Sequence, residues 1–147
     1  MILIYTTLSI ARSMIMTNEL ANTSGSGKTA NIPQDVLGRF NWGAFLLSWI
    51  WGLGNNTYIT LFILLSVILV FIPFGGLVPF GLCIWFGIKG NEWAWQNKHF
   101  ESVEKFHEIQ KKWAIAGTIV FVIGIIFSVI MSGAIIAALL GAAANSQ

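Results

Sequence analysis

Glu104 and His107 stand three residues apart in a stretch with helical periodicity, and a Glu-x-x-His pair is half of a carboxylate-bridged di-metal set. That chemistry requires a second Glu-x-x-His and two further carboxylates on facing helices. The nearby acids are Glu92, Glu101 and Glu108, and no second copy of the motif exists, so a solvated charged face is the expectation. His99 and His107 lie about two helical turns apart and do not have the i,i+4 spacing of a helical zinc pair. Gly25-Ser26-Gly27-Lys28-Thr29 ends like a phosphate-binding loop. Asn22, however, stands where that loop needs its first glycine, and Ile32-Pro33 follows where a helix has to run. A flexible linker is expected there. Cys83 is alone in an apolar stretch without a neighbouring cation, the setting of a packed rather than a reactive thiol. Asp35 is the one Asp, so no Ser-His-Asp set is visible. The sequence offers no catalytic residue, no cofactor-binding residue and no metal ligand set.

What must position any site is read from the charges. Residues 89–113 carry nine of the fourteen charged residues and both histidines. Residues 40–88 and 113–147 contain no Asp, Glu, Lys or Arg. A charged island between two long uncharged blocks is the pattern of a polytopic membrane protein with one substantial aqueous loop. The totals agree: the chain is 56% hydrophobic, 10% charged and has a mean hydropathy of +0.75, against about 25% charged residues in soluble domains. A net charge of +2 is too small to imply nucleic acid as a partner. One Cys excludes an internal disulfide.

Residues 1–38 are expected to be a flexible N-terminal segment, with Met14 or Met16 as the favoured start and residues 1–15, if made, a short interfacial helix. Residues 39–143 form the helical membrane domain. Asn41 is a suitable N-cap, with Phe40 and Phe45 placed as a hydrophobic staple. The helix it opens, residues 42–53, would be about 18 Å long, too short for a ~30 Å hydrocarbon core, and is expected to be interfacial or re-entrant. Residues 57–72 read as a first span and Pro73-Phe74-Gly75-Gly76 as a turn. Residues 77–97 read as a second span that continues into water. Residues 102–141 read as one long helix, entered through a capping box at Glu101-Ser102-Val103-Glu104 or a cap at Ser102. Glu101–Lys105 and Glu108–Lys112 are placed for i,i+4 pairing. The two aqueous extensions would form a helical hairpin, with Phe106 on its buried face and Trp93 near it. Residues 144–147 are a tail. The expected fold is thus all-α: three transmembrane helices, one interfacial or re-entrant helix and a cytoplasmic helical hairpin extension.

The 89–112 loop holds five lysines, whereas the 73–76 turn and the C-terminal stretch hold none. This asymmetry puts the N-terminus and the loop in the cytoplasm and the C-terminus, including Gln147, outside. Trp42, Trp49, Trp51, Trp93, Trp95 and Trp113 then gather near the inner leaflet, as an interface with lipid or a partner. Gly124, Ser128 and Ser132 form one row of small residues, and Gly133, Ala137 and Gly141 another. Such rows permit close helix packing in lipid, and packing within the chain is the favoured use. No ionisable residue falls inside the spans, which argues against a proton- or ion-coupled transporter.

Two stretches carry a family resemblance. Arg39-Phe40-Asn41-Trp42-Gly43-Ala44-Phe45 with Trp49-Ile50-Trp51-Gly52 is one. Gly87-Ile88-Lys89-Gly90-Asn91-Glu92-Trp93-Ala94-Trp95, with Ser102-Val103-Glu104 and Gln110-Lys111-Lys112-Trp113-Ala114, is the other. Across residues 38–140 the chain resembles small bacterial inner-membrane proteins known as a domain-of-unknown-function family. The resemblance implies a bacterial membrane protein and supplies no activity. Similar chains sometimes carry a ribonuclease G label. That enzyme's paired Asp and Cys residues have no counterpart in a chain with one Asp and one Cys. The expected function is that of a non-enzymatic accessory, interaction or scaffold subunit of the inner membrane. Its expected partners are membrane lipids and either a second copy of itself or a larger membrane complex. The alternative is an oligomeric pore or small transporter lined by Ser, Thr and Asn.

Overall fold

The computed structural model describes residues 2–145. It is all-helical, with no strand among the described residues and one long apolar helix. The principal helices are α1 (Ile2–Ala21), α2 (Trp42–Gly54), α3 (Phe62–Ser66), α4 (Leu77–Asn97) and α5 (Val103–Asn145), with short 3-10 turns between some of them. The expected placement of Gln147 lies outside the described residues.

α2 begins where Asn41 takes the N-cap: its side chain accepts from the Ala44 amide at 2.9 Å. Within α2 the backbone leaves helical geometry at Ser48, with φ 37° and ψ −101°, so the helix is bent into two short arms. α2 ends at Gly54, whose carbonyl accepts from Lys98 Nζ at 2.7 Å, a cation set against the negative end of the helix.

The hairpin forms differently from the expectation. α4 and α5 are joined by a short turn, but α2 wedges between them and packs on both. Glycines make this approach possible. A Cβ on Gly43 would meet the Trp113 side chain at 2.7 Å, and one on Gly90 would meet Ala44 at 2.8 Å. Only the base of the hairpin closes directly: Phe106 packs edge-on to Trp95 at 5.5 Å and to Phe100 at 5.0 Å. Phe106 is fully buried, as its place in a charged stretch demanded. Its aromatic neighbour is Trp95 rather than Trp93, which packs against Trp85 and Phe86. Ser102 caps α5, its Oγ accepting from the Lys105 amide at 3.2 Å. Lys105 pairs with Glu108 rather than Glu101, and Glu108 also pairs with Lys112.

Three further expectations are corrected. Residues 57–72 do not form one regular helix. Tyr58–Leu61 and Val67–Phe71 are 3-10 and only Phe62–Ser66 is α-helical. Locally, the Thr60 and Ser66 hydroxyls donate to carbonyls three residues back, which competes with the α-helical ladder. Among the described residues one helix, Val103–Asn145, is long and apolar enough to cross a membrane by length and composition. Second, residues 22–36 are not a free linker. Val36 is fully buried, and Ile32 and Ala30 pack against the same core. Ser24 exchanges hydrogen bonds with the Phe100 backbone, Asn22 donates to the Phe100 carbonyl at 2.6 Å, and the Gly25 amide donates to the Trp95 carbonyl at 2.9 Å. The segment is a strap across the base of the hairpin. Third, the small-residue rows do not pack within the chain. Gly124, Gly133 and Gly141 have nothing within 4 Å of a built Cβ, and Ser128, Ser132 and Ala137 are exposed.

Candidate functional site

Where α2, α4 and α5 meet, five side chains form a closed polar network inside the apolar core. Asn41 sits just before α2, Trp51 on it and Asn55 just after it; Asn91 is on α4 and Gln110 on α5. Asn41 Nδ2 donates to Asn91 Oδ1 at 2.7 Å and to Gln110 Oε1 at 3.0 Å. The same Gln110 oxygen accepts from Trp51 Nε1 at 2.9 Å, and Gln110 Nε2 donates to Asn55 Oδ1 at 2.9 Å. Asn55 Nδ2 returns to the Trp51 carbonyl at 2.9 Å, and Asn91 Nδ2 donates to the Arg39 carbonyl at 2.8 Å. All five residues are buried. Buried amides are costly unless paired, and these are paired. The network is neutral and its groups do not titrate near neutral pH, so its chemistry is orientation: it fixes three helices in one register.

This arrangement reassigns the tryptophans. Trp51 and Trp95 are buried, at 0% and 2% exposure, and cannot face lipid or a partner. Each indole N–H is satisfied inside, by Gln110 and by the Asn31 carbonyl respectively. A Trp in a core with a partner for its one donor is a large apolar residue like any other. Trp113 is half-buried against Gly43 and Gly54, and Trp93 is half-buried among aromatics. Trp42 and Trp49 remain exposed. Trp42 forms an aromatic cluster with Phe40 and Phe45 at the start of α2.

The residues that suggested chemistry are dispersed. Glu104 bonds to the Ser102 side chain, which holds its carboxyl below the ordinary 4.5. His107 lies against Phe106, and its Nε2 is buried without a hydrogen-bond partner. His99 Nδ1 lies 3.1 Å from the carbonyl oxygen and 3.3 Å from the Oγ of Ser24 on the strap. The Gly25 amide, which a phosphate loop would offer to its ligand, is engaged by Trp95. Cys83 Sγ lies 3.3 Å from Ser48 Oγ, beside the bend in α2. Among the described residues no three His, Cys, Asp or Glu side chains converge as a metal site.

Sequence reasoning missed the network as a unit. Asn41 is legible as a cap and Gln110 as part of a helical face, but nothing local pairs them with Asn91. The available signal was three uncharged amides, Asn41, Asn91 and Gln110, inside the motif stretches. No known protein family, curated protein or solved structure matches the chain.

Proposed function

We propose that the chain is a small multi-pass protein of the bacterial inner membrane, acting without catalysis as an accessory or scaffold subunit that presents an uncovered helix to lipid and to a partner. The observation that carries this reading is α5. Its most apolar 18-residue window has a mean hydropathy of 2.8 and is 0% buried by the rest of the chain. A water-soluble fold would cover such a surface.

Two shorter stretches complete a three-span arrangement. Tyr58–Phe71, mostly 3-10 and therefore longer per residue, reaches about 25 Å, close to a ~30 Å hydrocarbon core. α4 supplies the return: its apolar part before Lys89 is about 18 Å long, so the bilayer thins locally to meet it, with Lys89 at the headgroup level. The lysines of residues 89–112 orient the hairpin base toward the cytoplasm. The Asn41, Trp51, Asn91 and Gln110 network holds α2 against α4 and α5 and so fixes the uncovered helix in place.

The test is alkaline extraction of membranes followed by crosslinking and pull-down of the native protein. Retention in the membrane pellet together with repeated recovery of one partner, or of a homo-oligomer, is expected. Release by alkali would overturn the membrane reading, and repeated recovery of a lone monomer the subunit reading. A second reading, an oligomeric pore, is favoured by one observation: Ser128 and Ser132 lie on an uncovered face of α5. Several other hydroxyls, those of Thr60, Ser66 and Thr118, donate to carbonyls of their own turns. Solute flux in sealed liposomes over a broad panel separates the two readings.

A further inference from the structure

Arg39 is the last charge before the first uncharged block, and Lys111 and Lys112 are the last before the second. The fold brings Arg39 and Lys111 into one cleft between the start of α2 and the charged part of α5. The cleft has a volume of 270 Å³, and His107 and the buried amides Asn41, Asn91 and Gln110 also line it. No acidic residue lines it. Among the described residues neither cation has an ion-pair partner, whereas Lys89, Lys105 and Lys112 all pair with Glu92 or Glu108. His107 Nε2, buried and unpartnered, adds a third polar group without a protein mate.

An apolar groove of 440 Å³ adjoins the cleft. Trp42, Lys111 and Ala114 belong to both, and the groove continues over Ile115, Thr118 and Ile119 along α5. A cationic, amide-lined cleft opening into a groove along an apolar helix has the polarity of an amphiphile with an anionic head. The head would meet Arg39 and Lys111, and the chain would follow α5 past the Trp42 ring.

We propose that this cleft and groove bind an anionic phospholipid, its phosphate held by Arg39 and Lys111 and one acyl chain lying in the Trp42–Ile119 groove. The site rests on the membrane reading above. Unpaired Lys and Arg side chains at a membrane surface each strengthen attraction to anionic headgroups. Here two of them line one cleft that holds no counter-charge, which converts a diffuse preference into a site.

The full chain is reconstituted in phosphatidylcholine nanodiscs containing a minor fraction of lipid with brominated chains, carried either by phosphatidylglycerol or by phosphatidylcholine. Brominated phosphatidylglycerol is expected to quench tryptophan fluorescence more strongly, and the excess to vanish in Trp42→Phe. Arg39→Gln or Lys111→Gln should each weaken the headgroup preference about fivefold, and the double variant about thirtyfold. Lys112→Gln, which removes a neighbouring ion-paired charge, should leave it nearly unchanged. Equal quenching by the two headgroups in inserted protein overturns the site and leaves the membrane reading standing. An equal loss in Lys112→Gln overturns it in favour of diffuse surface charge, and displacement by excess inorganic phosphate overturns it in favour of a soluble-anion site. Failure of the protein to enter the bilayer, read by alkaline extraction, overturns both readings.

Discussion

Gln110 carries more of the fold than its residue type suggests. Its oxygen accepts from Asn41 and Trp51, and its nitrogen donates to Asn55. In Gln110→Leu the Trp51 N–H and the Asn55 carbonyl oxygen lose these partners inside the core. Each orphan costs about 1–3 kcal/mol, so a total loss of about 2–6 kcal/mol is expected in the thermal or denaturant unfolding of detergent-purified protein. Glu108 is the opposite case, an exposed carboxylate. Hydrogen bonds from Lys105 and Lys112 bring it from the ordinary 4.5 down to about 2. A depressed carboxylate contributes stability that is present above the ordinary value and is lost as the pH falls through the folded one. Carbon-13 NMR of labelled Glu should therefore show the Glu108 carboxylate titrating near pH 2, and any weakening of the first turns of α5 should fall between about pH 4.5 and pH 2. Being exposed, the Glu108 cluster should add little to global stability, and Glu108→Ala should leave the melting temperature of the detergent-purified protein nearly unchanged.

At the scale of the elements, α2 decides the architecture by lying between α4 and α5. Gly43 and Gly117 let α2 and α5 approach closely; a Cβ on Gly117 would meet Leu46 at 2.9 Å. Gly43→Val should lower the melting temperature sharply, because the Trp113 backbone and side chain leave it no room. Gly133→Val, with nothing within 4 Å, should leave the monomer's melting temperature nearly unchanged. A large loss at Gly133 would reveal that its row packs against another copy. The contrast also marks what the sequence can reveal. The unbroken α5 was legible because no Pro or helix-ending signal interrupts it, and the start of α2 because Asn41 is a local cap. The wedge was not, since the Asn41–Gln110 bond joins residues 69 apart and leaves no local trace. The tryptophans misled for a related reason. A Trp suits both a membrane interface and a core, and only the position of Gln110 in space shows that Trp51 belongs to the second. The strap was misread because its anchors, Ser24 and Asn22, are polar residues whose partners are distant backbone groups.

At the scale of the molecule, the two ends differ in kind. The base, where α2, α4, α5 and the strap meet, holds the buried aromatics and the polar network. Beyond Gly117, α5 has no buried residue among those described. In the proposed orientation Lys98 and Lys105, at the base, face the cytoplasm. In a Cys83→Ser background, Lys105→Cys should react with an impermeant maleimide only after the inner face of the membrane is opened. Labelling from the outside of intact cells would reverse the topology.

The strap has a consequence in time as well as in space. Ser24 meets Phe100 across a separation of 76 residues. At about 5–20 residues per second, roughly 4–15 s pass between the synthesis of the two. Throughout that interval the residues that later lie across the hairpin base have no surface to lie on. The base can be latched only after α2, the 58–71 stretch and α4 have been made. The strap is thus made before every element it latches and docks after them.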